Sequence, residues 1–440
     1  MSIPSIAELA EYQARRTRLL QTIGAEGIAI VPAAREVIRN RDSHYKFRQD
    51  SDFLYLTGFN EPDSVVVLAP GRKEGAFLLF TRPRDKAREI WDGRRAGPEG
   101  AVSQYGADQG FVVEQLEAML PQLLAGRTQI FYTLGEHLQW DAKLTACVRE
   151  IREVSRRGPD APSSFIALDS TLHEQRLIKT AAELQLIRKA CDVSARAHVR
   201  AMRATKPGGW EWQVAAEIHN EFEQNEMEPG YGSIVGGGDN ACILHYKENE
   251  AQLRDGDLLL IDAGGEYRGY TADITRTFPV SGKYSGAQKA VYEVVLAAQK
   301  AAIAELKPGV SSARPHEVAT RTLTEGLVAL GLLQGDPTEL IATDKQRQFY
   351  MHGTGHWLGL DVHDVGRYKL EGRPRPFQAG MVMTVEPGLY IAPNTAGIDP
   401  RFLGIGIRIE DDVLIGAEGP EVLTGGVAKE VADVEAVMRG

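Results

Sequence analysis

Two stretches of this sequence follow one plan: Gly-Asp-Leu-Leu-Leu-Ile-Asp at 256–262 and Gly-Met-Val-Met-Thr-Val-Glu at 380–386. Each begins with a glycine suited to a turn, continues as a mostly apolar strand, and ends in a carboxylate. A shorter repeat, Lys-Pro-Gly at 206–208 and 307–309, stands each time between two stretches with helical spacing. The C-terminal part is therefore predicted to contain two copies of one unit that face each other; chance repetition is the alternative.

The first third of the chain predicts an α/β domain. Residues 64–68 and 76–80 are short apolar runs followed by Pro-Gly and Arg-Pro, which indicates strands, and 112–124 has helical spacing. The segment 155–162 has the composition of a loop. We place the domain boundary soon after it, which predicts domains at 1–172 and 173–440. A long helix should then start at Thr180, because Thr180 and Glu183 have the spacing of a capping box.

Composition excludes several classes of function. The 440 residues include 50 basic and 60 acidic side chains, a net charge of −10. This balance argues against nucleic acid or an anionic membrane surface as a partner, since both bind clustered Lys and Arg. No apolar stretch approaches the ~18 residues of a membrane span, and no secretory signal is apparent. Three dispersed cysteines without a Cys-x-x-Cys pattern favour a reducing compartment, so we expect a cytoplasmic protein.

Carboxylates follow the predicted strands. If Tyr267-Arg268 is the loop of a hairpin, residue i pairs with residue 535 − i and Asp262 lies opposite Asp273. Directly opposed side chains have Cβ atoms ~5 Å apart, and two carboxylates there repel unless they share a proton or a cation. The alternative is that this register is wrong and each aspartate caps a turn.

Two further carboxylates stand in similar places. Glu386 ends the second repeated strand, and Glu410 ends the strand-like segment 404–410. In that segment Gly406, Arg408 and Glu410 share one face, and a glycine there would leave backbone room for a ligand. The alternative is an edge strand with a solvated polar face.

The histidines are clustered. Three of the ten histidines, His352, His356 and His363, fall within twelve residues. The intervening glycines favour a loop or strand over a helix, and the chain has no His-Glu-x-x-His motif. A single histidine is more often structural, which is the role predicted for the four others considered, at positions 44, 137, 198 and 219. A cluster among glycines is the stronger sign of a site.

Four carboxylates and one imidazole form an oxygen-rich set. Four negative charges balance two divalent cations, which suits a dinuclear site bridged by hydroxide. The absence of thiolate ligands favours Mn²⁺ or a similar hard ion over structural zinc. Nucleophile motifs such as Gly-x-Ser-x-Gly and phosphate-binding glycine motifs are missing from the sequence.

In sequence order, this set resembles the ligands of the pita-bread metallopeptidases: Asp262, Asp273, His356, Glu386 and Glu410. Within that group the chain is most similar to the aminopeptidase P family. The similarity lies at 48–62, 245–249, 262–264, 273–277, 352–363, 385–388 and 404–412. It implies an α+β protein: an N-terminal creatinase-type α/β domain, then a C-terminal pita-bread catalytic domain with pseudo-twofold symmetry. It also implies removal of the N-terminal residue from peptides with proline second. The segment 169–174 lacks an arginine that the family often has.

The resemblance suggests roles for the metal ligands. Asp262 and Asp273 would bind both ions between them, Glu410 would bridge the ions, and His356 with Glu386 would complete one of them. Glu386 would also carry the proton, from the nucleophile to the proline nitrogen. The expected cofactors are two divalent metal ions, with Mn²⁺ preferred over Co²⁺, Fe²⁺ or Zn²⁺.

Four other residues would contact the peptide substrate. His363 and His245 would hydrogen-bond the scissile carbonyl, His352 the peptide beyond it, and Arg408 the downstream backbone or carboxylate.

Other functions compete with this hypothesis. The nearest is prolidase, which acts on Xaa-Pro dipeptides. Methionine aminopeptidase does not need the large N-terminal domain, and creatinase lacks the metal ligands present here. A non-catalytic peptide- or histone-binding relative is the remaining class. The resemblance also implies a homo-oligomer, a dimer or tetramer, in which Trp91 either serves a neighbouring subunit or belongs to the core.

Overall fold

The computed structural model describes residues 3–439. The chain forms two compact units that divide between Gln175 and Arg176. The predicted boundary between residues 172 and 173 lies three residues earlier, in the same helix. No helix in the described part of the chain has both the length and the apolar character needed to cross a membrane.

The N-terminal unit combines helices with a six-stranded sheet. Its helices, the last of which crosses the division between the units, are Ile6–Ile23 (α1), Ser51–Thr57 (α2), Lys86–Asp92 (α3), Gly97–Ser103 (α4), Leu116–Leu124 (α5), Leu138–Val154 (α6) and Asp169–Leu177 (α7). Its strands are Gly27–Pro32 (β1), Ile38–Asn40 (β2), Ser43–His44 (β3), Val65–Leu68 (β4), Phe77–Thr81 (β5), Gln109–Val112 (β6), Gln129–Phe131 (β7) and Ser164–Ile166 (β8).

The sheet has the order β6-β5-β4-β1-β7-β8. Its centre is antiparallel and its outer pairs are parallel. Strands β4 and β5 confirm the prediction that the two apolar runs form strands. Both are buried along their whole length, as expected for strands covered on both faces. The predicted helix at 112–124 begins later, at Leu116, because Val112 completes β6 and a 3-10 turn follows it.

The C-terminal unit is longer and mixes helices with several small sheets. Its helices are Ala181–Ala204 (α8), Glu211–Glu223 (α9), Gly286–Ala304 (α10), Arg314–Ala329 (α11), Pro337–Ala342 (α12) and Val431–Arg439 (α13). Its strands are Glu228–Pro229 (β9), Ile234–Gly237 (β10), Leu258–Asp262 (β11), Gly265–Tyr267 (β12), Tyr270–Thr271 (β13), Thr275–Pro279 (β14), Lys369–Leu370 (β15), Arg373–Pro374 (β16), Val382–Val385 (β17), Gly388–Ile391 (β18), Ile405–Arg408 (β19), Asp411–Ile415 (β20) and Pro420–Val422 (β21). The predicted capping box is present at the start of α8, where Thr180 and Glu183 exchange hydrogen bonds.

The internal duplication is visible in the order of the elements. Helices α8 and α9 lead to β11, and α10 and α11 lead to β17. The glycines that open corresponding turns share one left-handed conformation: φ is 87° at Gly208 and 86° at Gly309, and 87° at Gly256 and 93° at Gly380. Glycine adopts such angles without steric cost. The corresponding turns of the two halves therefore share one backbone conformation, as the repeated sequence plan predicts.

The predicted register of the hairpin after Asp262 is wrong by two residues. Asp262 pairs with Thr275 instead of Asp273, and the two-residue loop is Arg268-Gly269 instead of Tyr267-Arg268. Both loop residues have positive φ, 51° and 91°, as in the turn type that matches strand twist and favours glycine second. Since side chains alternate with a period of two, this shift leaves both aspartates on the expected face.

Strand β19 is buried along its whole length and pairs with β18. The alternative of a solvated edge strand is therefore wrong. The predicted space for a ligand at Gly406 is also wrong, because a Cβ atom there would lie 2.3 Å from the carbonyl oxygen of Ala241. The glycine admits a neighbouring backbone segment, the 3-10 helix Gly238–Cys242.

Candidate active site

Asp262 and Asp273 are joined by a shared tyrosine. Asp262 is the last residue of β11, and Asp273 lies two residues before β14. The hydroxyl of Tyr231 lies 2.7 Å from Asp262 Oδ1 and 2.5 Å from Asp273 Oδ1. The backbone N–H of Asp273 also donates to Asp412 Oδ2 at 2.9 Å. These contacts, and not direct opposition in the hairpin, hold the two carboxylates together.

His356 and Glu386 are aligned by two backbone segments that run side by side. The N–H of Glu386 donates to the carbonyl of Thr354 at 2.7 Å, and the N–H of Thr384 donates to the carbonyl of His356 at 2.9 Å. Gly355 permits this approach, because a Cβ atom there would lie 1.9 Å from the carbonyl oxygen of Thr384. The glycine-rich loop is thus bound to the end of β17.

Glu410 reaches the same place from the end of β19. Its N–H donates to the carbonyl of Thr275 at 3.0 Å, and the hydroxyl of Thr275 donates to Glu410 Oε2 at 2.6 Å. One potential ligand atom from each of Asp273, His356 and Glu410 lies within 4.8 Å of the others. Among residues 3–439 this is the one group with such a spacing. His356 Nε2 also lies 3.8 Å from Glu386 Oε1.

All nine predicted site residues line one cavity of about 320 Å³. They are His245, Asp262, Asp273, His352, His356, His363, Glu386, Arg408 and Glu410. The structure therefore brings together residues that are up to 165 positions apart in the chain (410 − 245).

Burial and mutual repulsion raise the pKa values of three of the carboxylates: Asp273, Glu386 and Glu410. Burial raises the pKa of Glu386 to about 7, with partial compensation by His356 and Arg408. Burial and neighbouring carboxylates raise the pKa of Asp273, and that of Glu410 well above its ordinary value. Burial alone would lower the pKa of His356, but its hydrogen bond to Asp273 raises it to about 9. The cluster thus has an excess of negative charge that protons or cations must neutralise.

Known families account for nearly the whole chain. The model of metallopeptidase family M24 matches residues 185–417, and that of the aminopeptidase P N-terminal domain matches 12–132. The chain belongs to metallopeptidase family M24. It is 45% identical over 430 residues to Xaa-Pro aminopeptidase of Escherichia coli, covering 97% of each chain. It is 42% identical to Xaa-Pro aminopeptidase of Haemophilus influenzae, again over 97% of each chain.

Solved structures agree with this assignment. An aminopeptidase from Pseudomonas aeruginosa is 50% identical and superposes with a TM-score of 0.97, covering 100% of this chain and 99% of that one. Zinc-substituted aminopeptidase P from E. coli in complex with product is 44% identical, with a TM-score of 0.95 and the same coverage. The expected two-domain α+β fold is confirmed, and this M24 member is a metallopeptidase.

The donor set fits the divalent metal ions of an M24 enzyme. Four carboxylates and a histidine face one cavity, and the raised pKa values of Asp273, Glu386 and Glu410 reflect uncompensated negative charge. Oxygen donors with a single imidazole suit hard or borderline divalent cations. Cations would relieve the repulsion that otherwise holds protons on Glu386 and Glu410.

Arg408 faces the cavity, but its guanidinium is already occupied. It donates to Asp262 Oδ2 at 2.5 Å, to the hydroxyl of Tyr390 at 3.0 Å and to that of Thr275 at 3.1 Å. The side chain is 4% exposed. Arg408 thus binds one carboxylate oxygen of Asp262, and Tyr231 binds the other.

The other three histidines surround the cavity differently. His352 lies 2.9 Å from the hydroxyl of Tyr390 through Nε2, and the ring of His363 packs edge-on against His356 with centroids 4.1 Å apart. His245 is exposed and borders the cavity. Burial lowers the pKa of His352 to about 4, and that of His363 below its ordinary value. Both rings are therefore neutral near pH 7.

Sequence reasoning missed four residues that hold the site. Tyr231, Thr275, Tyr390 and Asp412 each bond a predicted site residue. Asp412 follows Glu410 closely in the chain, and Tyr390 follows Glu386 by four residues, so proximity was a usable signal. Thr275 lies two residues after Asp273 and carried the same signal, whereas Tyr231 carried none, because single hydroxyl residues are common in any sequence.

Proposed function

We propose that the chain removes the N-terminal residue from peptides whose second residue is proline, using two divalent metal ions. The observation that carries the proposal is the cavity in which four carboxylates and His356 converge within this M24 fold. The similarity to enzymes named Xaa-Pro aminopeptidase over 97% of the chain supports the substrate class.

Five side chains would hold the metals. Asp262 and Asp273 would bind both ions, Glu410 would bridge them, and His356 with Glu386 would complete one. When bound, such a pair of ions lowers the pKa of water toward neutrality and so supplies a hydroxide nucleophile. We propose Mn²⁺ as the metal, because four of the five donors are carboxylates; Co²⁺, Fe²⁺ and Zn²⁺ are the alternatives.

Glu386 is our candidate for proton transfer. It lies between the metal ligands and His352, whose Nδ1 is 3.8 Å from Glu386 Oε2. Burial, which raises its pKa to about 7, makes its carboxyl group able both to accept and to return a proton near neutral pH. It would take a proton from the nucleophile and deliver it to the proline nitrogen. That transfer is required because a proline amide nitrogen carries no hydrogen.

The substrate would lie between the histidines and Arg408. His363 and His245 would donate to the scissile carbonyl as negative charge develops on its oxygen. His352 and Arg408 would bind the peptide on the far side of the proline. The hydrogen bonds of Arg408 to Asp262, Tyr390 and Thr275 leave this last role to the other N–H groups of its guanidinium.

The first test compares Xaa-Pro-Yaa with Xaa-Pro as substrates, with Mn²⁺ and with a chelator. Chelator-sensitive cleavage that favours the tripeptide is expected. Cleavage confined to the dipeptide would instead identify a prolidase, and absence of cleavage with metal bound would refute both. Glu386→Ala should abolish turnover in a metal-loaded variant, and wild-type activity there would remove Glu386 from the mechanism.

We further propose a homo-oligomer, a dimer or tetramer, in a reducing, cytoplasmic compartment, with domains at 1–172 and 173–440. Trp91 is 85% exposed, so the alternative that it belongs to the core is wrong, and a neighbouring subunit is its proposed partner. All three cysteines are free, which is compatible with a reducing compartment. Sedimentation that shows only a monomer at working concentration would contradict the shared role of Trp91.

A further inference from the structure

A buried polar cluster lies next to the catalytic cavity. The hydroxyl oxygen of Thr354 is 2.5 Å from the hydroxyl of Tyr350 and 2.8 Å from His316 Nδ1. Thr354 is 4% exposed and Tyr350 is 3% exposed. The bond to Tyr350 is buried and the bond to His316 is partly buried; together they hold the rotamer of Thr354 and tie it to helix α11, which carries His316.

The backbone of Thr354 connects this cluster to the proposed metal ligands. Its carbonyl accepts the N–H of Glu386 at 2.7 Å, and two residues later the carbonyl of His356 accepts the N–H of Thr384 at 2.9 Å. In addition, the ring of Tyr350 packs edge-on against His352 with centroids 5.0 Å apart. A shift of Thr354 would therefore be transmitted to residues on both sides of the cavity.

We propose that Thr354, held by Tyr350 and His316, is a positioning residue that sets the relative placement of Glu386 and His356. The inference rests on the proposed function, since it assigns Thr354 a part in the same reaction. Groups that orient metal ligands typically contribute 10–100-fold to metal affinity or activity. A displacement of about 1 Å at reacting groups can cost about 100-fold in rate.

Two substitutions at this position separate the hydroxyl from the shape of the side chain. Thr354→Val keeps the shape and removes the hydroxyl, and it should lower kcat about 10-fold and weaken Mn²⁺ binding about 10-fold. KM should change little, because Thr354 does not face the substrate. Thr354→Ser keeps the hydroxyl, and it should restore both kcat and Mn²⁺ affinity to within about threefold of wild type. Mn²⁺ binding is measured by calorimetry, which needs no turnover.

Thr320→Val is the matched control. Thr320 lies on α11 like His316, is 7% exposed, and its hydroxyl has no hydrogen-bond partner. It borders the neighbouring cavity of about 200 Å³ that His316 also lines. Loss of the Thr320 hydroxyl should leave kcat and Mn²⁺ affinity unchanged. Equal losses in Thr320→Val and Thr354→Val would overturn the proposal.

Other outcomes also decide the question. A Thr354→Ser variant as impaired as Thr354→Val would mean that shape alone matters, and a fully active Thr354→Val would mean that the hydroxyl is irrelevant; either result refutes the proposal. If Thr354→Val does not fold, Tyr350→Phe removes one of the two bonds and is judged by the same readouts. If the wild type binds Mn²⁺ but cleaves no Xaa-Pro peptide, the proposed function fails, while Mn²⁺ affinity still tests the positioning.

Discussion

A buried ion cluster beside the histidine loop provides a strict test of the packing. Asp364 accepts hydrogen bonds from Arg176 at 2.6 Å and from Lys179 at 2.9 Å. The side chains of Asp364 and Lys179 are 1% exposed, and that of Arg176 is 3% exposed. Asp364→Asn removes the counter-charge of the buried Lys179 and one of the two carboxylates that bind Arg176, which keeps its bond to Asp361. Breaking a buried pair in this way costs about 3–5 kcal/mol.

The magnitude can be compared within the same cluster. Asp361 also accepts from Arg176, at 2.7 Å, but its side chain is 38% exposed. Because Asp361 is open to solvent, we place this pair in the range of about 0–1 kcal/mol that solvent-screened pairs contribute. Asp361→Asn is therefore the matched control. In a unit of this size, each kcal/mol of destabilisation lowers the thermal unfolding midpoint by roughly 2–4 °C. Asp364→Asn should therefore lower the midpoint by about 6–20 °C, and Asp361→Asn by no more than about 4 °C.

The pH dependence of this effect has a definite sign. Burial alone would raise the pKa of Asp364, but Lys179 and Arg176 outweigh it and lower the pKa. A carboxylate with a lowered folded-state pKa stabilises the fold above its unfolded-state pKa of about 4 and loses that contribution as pH falls further. The gap between wild type and Asp364→Asn should thus be constant from pH 8 to 5 and shrink below pH 4.

The assay is urea unfolding of the whole chain, followed by tryptophan fluorescence and circular dichroism across this pH range. Equal destabilisation by Asp364→Asn and Asp361→Asn would refute the reasoning. So would a stability difference below about 1 kcal/mol, because it would place the Asp364 pair in the surface class.

Three further predictions concern the site. Gly355→Ala should lower kcat/KM and Mn²⁺ affinity more than about 100-fold, because the added methyl group would collide with the carbonyl of Thr384. Gly353→Ala is the control: its added methyl group meets no atom within 4 Å, so this variant should bind Mn²⁺ like wild type. Equal Mn²⁺ affinities of the two variants in calorimetry would contradict this prediction. Mn²⁺ affinity should rise from pH 5 to 8, and binding should release protons. The reason is that metal must displace protons from Glu386, whose pKa is about 7, and from Glu410. Calorimetric titrations in two buffers of different ionisation enthalpy measure this release, and finding none would contradict the prediction. Chelation should lower the thermal midpoint and Mn²⁺ should restore it, since metal at about 100 times its Kd adds about 2.7 kcal/mol; an unchanged midpoint would show that the carboxylates need no cation.

Much of the architecture follows from local sequence rules. The capping box at Thr180, the turn glycines at 256 and 380, and the continuous apolar runs of β4 and β5 each obey a constraint that acts within a few residues. The same is true of the glycines that prevent a helix at 352–356. Where a local rule admits two answers, as in the hairpin loop, the predicted register is wrong. The chain adopts the turn with two positive φ values, because that turn fits the twist of the strands.

The sequence by itself predicted the types of ligand, their order along the chain and the two-domain plan. Carboxylates at strand ends and the histidine cluster indicated a cation site, and the resemblance to a known family implied the ligand set and the two-domain plan. Tertiary structure alone decided which groups hold those ligands: the hydroxyl of Tyr231 between two aspartates, the hydroxyl of Thr275 on Glu410, and the backbone carbonyl of Thr354 on the N–H of Glu386. It also filled the space at Gly406 with backbone instead of ligand. Such partners are tens of residues apart, and only folding of the whole unit brings them within hydrogen-bonding distance.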